Sequence, residues 1–246
     1  MQAHLQGRPS VAAPARIMNV DIKKWVPKSI KQRVKNMLLR RQLRDAVRAI
    51  SKLPAGQIPD RQQLSELIAG WSNEGYVANL EYLEAVAKSS INTRGPVLEC
   101  GSGATTILLG ILCGRRNVEV WSLENSPEWQ NRVTDALNTN GIFGVHVCTS
   151  PLIEYGDYVW YDPPLAQMPK EFSLVICDGP PGDTKGGRYG LLPVMGDTLP
   201  PGSTILLDDA GRPGELELIR KWEAEATFQT ELIKTQGSQY AVMRRG

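Results

Sequence analysis

From Ile30 to Ile50 the apolar residues Ile30, Val34, Met37, Leu38, Val47 and Ile50 recur largely at helical spacing with Lys and Arg between them, which predicts an amphipathic basic helix. LPAGQIP, at 53–59, breaks it. Leu64, Leu67, Ile68 and Trp71, and beyond Asn73 and Gly75 the residues Leu80, Leu83, Val86 and Ala87, predict a second helical region. After the turn signal NTRGP, at 92–96, the pattern changes to short apolar runs alternating with helix-like segments. That alternation marks βαβ units around a parallel sheet. Strands are predicted over 96–100, 118–123, 144–148, 172–177 and 203–207, with helices over 104–113, 127–138 and 213–226. Ser126 as N-cap and Pro127 at the first position mark the start of the second of these helices. Two last strands, around 227–233 and 239–244, flank QGS as a hairpin turn, so the sheet is expected to end in an antiparallel pair. The expected fold is α/β, a doubly wound and mostly parallel sheet with an antiparallel last strand, preceded by a helical basic arm. Residues 1–58 form the arm in this reading and 59–246 the main domain.

Composition narrows the class. With 246 residues, 41% of them apolar or aromatic, the chain can bury a substantial core, and collagen, wholesale disorder and a disulfide-stapled mini-protein are all excluded. No run approaches the ~18 consecutive apolar residues of a membrane span. The first twenty residues, MQAHLQGRPSVAAPARIMNV, lack the apolar stretch of a secretory signal and are expected to be loosely held, so a cytoplasmic location is the default expectation. The four cysteines fall in apolar stretches with no CxxC pair, and neither disulfides nor a zinc cluster is expected. The formal charge of +2 hides an asymmetry: Lys23 to Lys52 holds eleven Lys or Arg against one acid, Asp45, a net +10 that leaves −8 for the rest. Three readings of this arm stand open. It packs its apolar stripe on the body, it lies on an anionic membrane surface, or it binds RNA, for which it offers only Trp25 as a stacking aromatic.

Ligands of an open parallel sheet bind beyond the carboxyl ends of its strands. After the first predicted strand comes Glu99-Cys100-Gly101-Ser102-Gly103-Ala104-Thr105, a tight glycine loop opening a helix, where a ligand can approach the backbone and its free amides. A plain strand-to-helix turn is the alternative. Thr106 stands where a dinucleotide site requires a third glycine, and Glu99 would repel a pyrophosphate, so the loop favours a ligand carrying positive charge. The second strand ends in Trp121-Ser122-Leu123-Glu124, a carboxylate about 20 residues past the glycines and suited to a ribose diol. Its alternative role is to cap the next helix.

VLECGSGATT, VWSLENSPEW and FSLVICDGPPG, in that order, resemble the class I S-adenosylmethionine-dependent methyltransferases, a Rossmann-like family, and the terminal strand-turn-strand is similar to their antiparallel seventh strand. The resemblance spans residues 70–246. It implies S-adenosylmethionine as cofactor, with Gly101 and Gly103 lining its methionine and adenosine, Glu99 near its amino group and Glu124 on its ribose. Ser102, Thr105 and Asn125 belong to the same two loops, and Leu152, with Ser150 and Pro151, is placed to reach the adenine. Two departures are Thr105, where many members have glycine, and SPLIEYGDYVWYDPPLAQMPKE, whose prolines and aromatics replace the usual helix.

Two motifs compete for the chemistry. Asp178-Gly179-Pro180-Pro181-Gly182 follows FSLVIC, a buried strand, and the reacting centre is placed there. Tyr161-Asp162-Pro163-Pro164-Leu165 resembles the (Asp/Asn)-Pro-Pro-aromatic motif of amino-methylating enzymes, with Leu in the aromatic position. The fifth strand delivers Asp208 and Asp209, and three neighbouring carboxylates repel one another unless a cation, a proton or an Arg compensates. Catechol-type O-methyltransferases look similar here. That resemblance implies Mg²⁺ or another divalent cation on Asp178, Asp208 and Asp209, activating a substrate hydroxyl. In the other reading Asp208 or Asp209 caps the following loop and pairs with Arg212. Arg188, on the glycine-hinged loop GGRYGLLP, either binds an acidic substrate or neutralises Asp178. His4 lies in the tail and His146 within a strand, so no histidine base is expected. The expected function is methyl transfer to an oxygen of a small molecule or saccharide, with Asp178, Asp209 and Arg188 as catalytic residues. The competing class is a catalytically idle Rossmann-like module whose arm binds a membrane or RNA.

Overall fold

The computed structural model describes residues 27–71 and 79–246. The first twenty residues, His4 and Trp25, and the break at Asn73 and Gly75, lie outside them. The described residues up to Met37 fall in one unit and those from Leu38 to Gly246 in a second, the body. The chain runs through α1 (Lys28–Ser51), α2 (Arg61–Trp71), α3 (Leu80–Asn92), β1 (Val97–Cys100), α4 (Ala104–Gly114), β2 (Val120–Glu124), α5 (Pro127–Thr139), β3 (Val145–Thr149), β4 (Leu152–Glu154), β5 (Val159–Tyr161), β6 (Leu174–Cys177), α6 (Leu191–Met195), β7 (Thr204–Leu207), α7 (Pro213–Glu225), β8 (Phe228–Lys234) and β9 (Gln239–Arg245).

The body takes in the second half of α1, which the sequence reading placed in the arm. Leu43, Ala46, Val47 and Ile50, on one face of the helix, are buried with Leu64 and Leu67 of α2 and Leu83 and Val86 of α3. Gly70 makes this packing possible, because a β-carbon there would collide with the α1 backbone at Leu43. No described helix is long and apolar enough to cross a membrane.

Seven strands form one sheet in the order β3-β2-β1-β6-β7-β9-β8. Neighbours are parallel except that β9 is antiparallel to β7 and β8, so the doubly wound sheet with its antiparallel strand is the one expected. Side chains alternate across it. Val97, Leu174, Ile176 and Leu206 face α3 and α4 on one side, while Leu98, Val175, Ile205 and Leu207 face Leu191, Met195 and Trp222 on the other. Ser126 caps α5 as predicted, accepting from the Trp129 amide at 3.2 Å. His146 is a strand residue stacked on Trp121, its partner in register, with ring centroids 4.2 Å apart. The described cysteines are free thiols.

The pattern missed the hairpin β4–β5, which forms a separate two-stranded sheet. Its strands are three residues each, too short to show alternation, yet Trp160 and Tyr161 are buried. The hairpin braces the loop that carries Arg188: Val159 donates its amide to Lys185 O at 2.8 Å, and Gly190 lies against the Trp160 ring with no room for a β-carbon.

The register sets the site. Cys100 is level with Leu123 and Cys177, and Cys177 with Leu207, so the loops at Gly101, Asn125, Asp178 and Asp208 leave one edge of the sheet side by side.

Candidate active site

Gly101 has φ +90°, a conformation that favours glycine. A β-carbon on it would stand 3.0 Å from the Gly179 nitrogen, and one on Gly179 would stand 3.0 Å from the Gly101 backbone. The two loops therefore touch backbone to backbone, and the Asp178 and Gly179 amides both donate to Cys100 O, at 3.0 and 2.7 Å. Gly101→Val should displace both loops and cost about 2 kcal/mol or more, seen as a fall in Tm together with lost cofactor affinity. Gly103 differs, since a β-carbon there would meet only Trp71 Nε1 at 3.9 Å. Gly103→Ala should keep the wild-type Tm while weakening the binding of any ligand seated on the loop. A Gly101→Val protein that melts like wild type would contradict this packing.

Glu99 is wholly buried, and its carboxylate accepts from Thr105 Oγ1 at 2.5 Å, Thr106 Oγ1 at 2.6 Å and Ser122 Oγ at 2.6 Å. Burial pushes its pKa up to about 7 against the pull of those three donors, with the Glu124 charge adding to the rise. With no exposed surface on Glu99 and little on Thr105, both lie behind the loop. The resemblance placed Glu99 near a ligand's amino group, and in this geometry its carboxylate has no exposed surface and is turned to the three hydroxyls. The two residues shape the loop from within. Thr106 also accepts from the Gly103 amide at 2.7 Å and so fixes the start of α4.

Glu124 ends β2 and reaches into the same loop. Its Oε2 accepts from Ser102 Oγ at 2.6 Å and Ser102 N at 3.2 Å, and its Oε1 from Ser126 N at 2.9 Å. A carboxylate has about four lone-pair positions, so it retains capacity for a further donor. Asn125 is half-buried between these partners. Ser150 donates its amide to Glu124 O at 2.7 Å, which ties the start of β4, and with it the half-buried Leu152, to the end of β2.

Asp178, Asp208 and Asp209 come together, with one oxygen from each within 4.8 Å of the others. Arg188, only 2% exposed, enters this cluster. Its Nη2 donates to Asp178 O at 2.7 Å, to Asp178 Oδ1 at 3.1 Å and to Asp209 Oδ2 at 3.4 Å, and its Nη1 to Asp208 O at 2.5 Å. Arg212 binds Asp209 Oδ2 from outside at 2.8 Å. Guanidinium groups already pair with two of the three carboxylates that a divalent ion would need, Arg188 with Asp178 and Asp209 and Arg212 with Asp209, and an ion there would compete with the buried arginine for them. The donor set as folded does not fit Mg²⁺, and the alternatives of an Arg188 counter-ion and an Asp209–Arg212 pair are the ones realised. Burial raises Asp178 to about 6, opposed by Arg188, and raises Asp208 to about 7, assisted by the Asp178 charge. Burial alone would lower the Arg188 pKa, but the charges of Asp178 and Asp209 raise it. Asp208 is 7% exposed and accepts from the Asp209 amide, whereas the Asp178 side chain keeps 41% exposure. Of the three carboxyls Asp178 is the most exposed, ahead of Asp209 at 23%.

The sequence matches no protein-family model and no curated protein. Solved structures match in fold. A SAH-bound methyltransferase of Podospora anserina is similar over 95% of this chain and 100% of its own, with 14% identity and a TM-score of 0.54. An O-methyltransferase from Bacillus cereus in complex with SAH is similar over 77% of this chain and 93% of its own, with 14% identity and a TM-score of 0.53. A precorrin-6y C5,15-methyltransferase from Geobacter metallireducens is similar over 70% and 91%, again at 14% identity and a TM-score of 0.53. The chain has the class I methyltransferase fold.

The resemblance places the catalytic motif of the class I methyltransferase fold after the fourth parallel strand, here β6, which leads into Asp178. The rival Asp162 follows β5 of the small hairpin and is exposed. Its neighbour Tyr161, which the sequence reading named only as the first residue of that motif, has a structural part to play. Tyr161 is buried, and its hydroxyl occupies the space a side chain on Gly179 would need, so it supports the Asp178 loop from beneath.

Proposed function

We propose that the protein transfers the methyl group of S-adenosylmethionine to an oxygen of a small polar acceptor. The observation that carries this reading is the partly exposed Asp178 at the end of β6, packed against the glycine loop that Glu124 holds from the other side. The Gly101–Gly103 loop offers backbone to a ligand, Glu124 offers acceptor capacity to a ribose, and Asn125 and Leu152 flank them. When bound, the cofactor supplies an electrophilic methyl group. Asp178 takes the proton from the acceptor hydroxyl, a role for which a pKa close to the working pH is suited. Arg188 holds Asp178 and Asp209 in place. Beyond Asp209 lies a cleft of about 560 Å³ lined with Arg212, Lys234, Gln236, Ser238 and Gln239. Its polar walls support a polyhydroxylated acceptor such as a saccharide over a flat apolar one.

Calorimetric titration with S-adenosylmethionine tests the cofactor. Glu124→Ala should weaken binding about tenfold or more, the worth of a charge-assisted hydrogen bond. Absence of binding by the wild type would return the chain to the idle-module reading. A screen of acceptor classes with labelled cofactor then identifies the substrate.

A further inference from the structure

The part of α1 in the N-terminal unit, Lys28 to Met37, carries three aliphatic side chains open to solvent: Ile30 at 49%, Val34 at 45% and Met37 at 63%. They stand at positions i, i+4 and i+7, hence on one side of the helix, and Leu38, the next residue of the same helix, is exposed as well. At about 100° per residue, Lys31 and Lys35 border one edge of this stripe and Arg33 the other. The apolar residues that the sequence pattern grouped into one stripe therefore divide: Val47 and Ile50 are core residues, and Ile30, Val34, Met37 and Leu38 are exposed among the described residues. From Lys28 to Arg44 the helix has seven Lys or Arg, and its first acid is Asp45.

An occupant of this surface has to accept aliphatic groups and supply negative charge on both sides of them. An anionic bilayer boundary does both, because acyl chains lie directly beneath phosphate headgroups. Nucleic acid supplies phosphates but no place for an aliphatic stripe, and the same helix of a second copy would bring its own cations into contact with these. We propose that this part of α1 is an in-plane anchor that lays Ile30, Val34 and Met37 into the headgroup boundary of an anionic membrane. The anchor would confine a chain with no described membrane-spanning helix to the surface of the bilayer.

The test is sedimentation of the full-length protein with vesicles of phosphatidylcholine, with and without about one third phosphatidylglycerol. Binding is expected to the anionic vesicles alone and to weaken with salt. Val34→Asp with Met37→Asp should lower the partition coefficient at least tenfold, by removing apolar burial and adding repulsion. Replacing Lys31, Arg33 and Lys35 by Gln should lower it about fivefold per cation. Lys31, Arg33, Val34 and Met37 are exposed, so the melting temperature should not change on substituting them, and it serves as the folding control. No sedimentation with anionic vesicles at low salt overturns the proposal, as does binding that ignores the two Asp substitutions. A dimer in light scattering that dissociates on Met37→Asp, without vesicle binding, assigns the stripe to a second copy. Tight binding of single-stranded RNA that survives Met37→Asp, again without vesicle binding, assigns the arm to nucleic acid.

Discussion

Asp178→Asn should lower the rate of methyl transfer by about 10² to 10⁴, the range for removing a positioned general base, with cofactor affinity nearly unchanged. Asparagine keeps the volume and can still accept from Arg188 Nη2, which lies 3.1 Å from Asp178 Oδ1, but it cannot take a proton. The pH dependence separates this from a general loss of structure. Asp178 and Asp208, raised to about 6 and about 7, are close enough to titrate as a pair, so the wild-type rate should climb between about pH 5.5 and 7.5 as the pair loses its protons. The rising limb should disappear in Asp178→Asn. Asp162→Asn serves as the control, since that residue is exposed and follows the small hairpin. A severe loss confined to Asp162→Asn would move the reacting centre to the DPPL segment.

Arg188→Ala should have the largest effect on stability. The guanidinium links two backbone carbonyls and two carboxylates at the ends of β6 and β7, and removing one partner of a buried pair costs about 3–5 kcal/mol. Asp178 and Asp209 keep 41% and 23% exposure, which lowers the expectation to about 3 kcal/mol at pH 8, a fall in Tm of roughly 6–12 °C. The sign of its pH dependence follows from linkage. A carboxyl whose folded pKa lies above its unfolded value binds more protons when native, so its contribution to stability falls as pH rises through the interval between the two. Loss of the arginine raises Asp178 and Asp208 further, so the deficit should be smaller at pH 5.5 than at pH 8. An equal or larger deficit at pH 5.5 would mean that Arg188 acts by packing alone. Arg188→Lys should recover less than half, because one ammonium cannot span both strand ends as the planar fork does. With arginine supplying the counter-charge, methyl transfer is expected to persist in excess EDTA. Activity lost in EDTA and restored by Mg²⁺ would contradict the assignment of Arg188 as the counter-ion.

Much of this site is legible in the chain because its requirements are local. Gly101 and Gly103 announce a loop that needs a positive φ and an uncrowded backbone, and strand period with helix period delivers Glu124, Asp178 and Asp208 to one edge of a parallel sheet. Alternation likewise located all seven strands of the main sheet to within a few residues, since each buries one or both faces. The hairpin β4–β5 escaped because three-residue strands carry no readable period, and their burial comes from packing against a loop some thirty residues on.

The remaining questions were ones of competition between distant groups, and pattern does not rank such competitors. Sequence brought three aspartates together and left a metal ion, a proton and an arginine as possible counter-charges. The braced loop decided among them by driving Arg188 into the cluster. The sequence reading set Glu99 towards a ligand. Thr105 and Thr106, which α4 sets above it, and Ser122 from the neighbouring strand turned it inward. The fate of α1 was also open, since its apolar residues fit a helix throughout. Packing against α2 and α3, with the close approach that Gly70 permits, determined that the face bearing Leu43, Val47 and Ile50 joins the core, because burial depends on which surface arrives opposite a residue, and that is a property of the assembled fold.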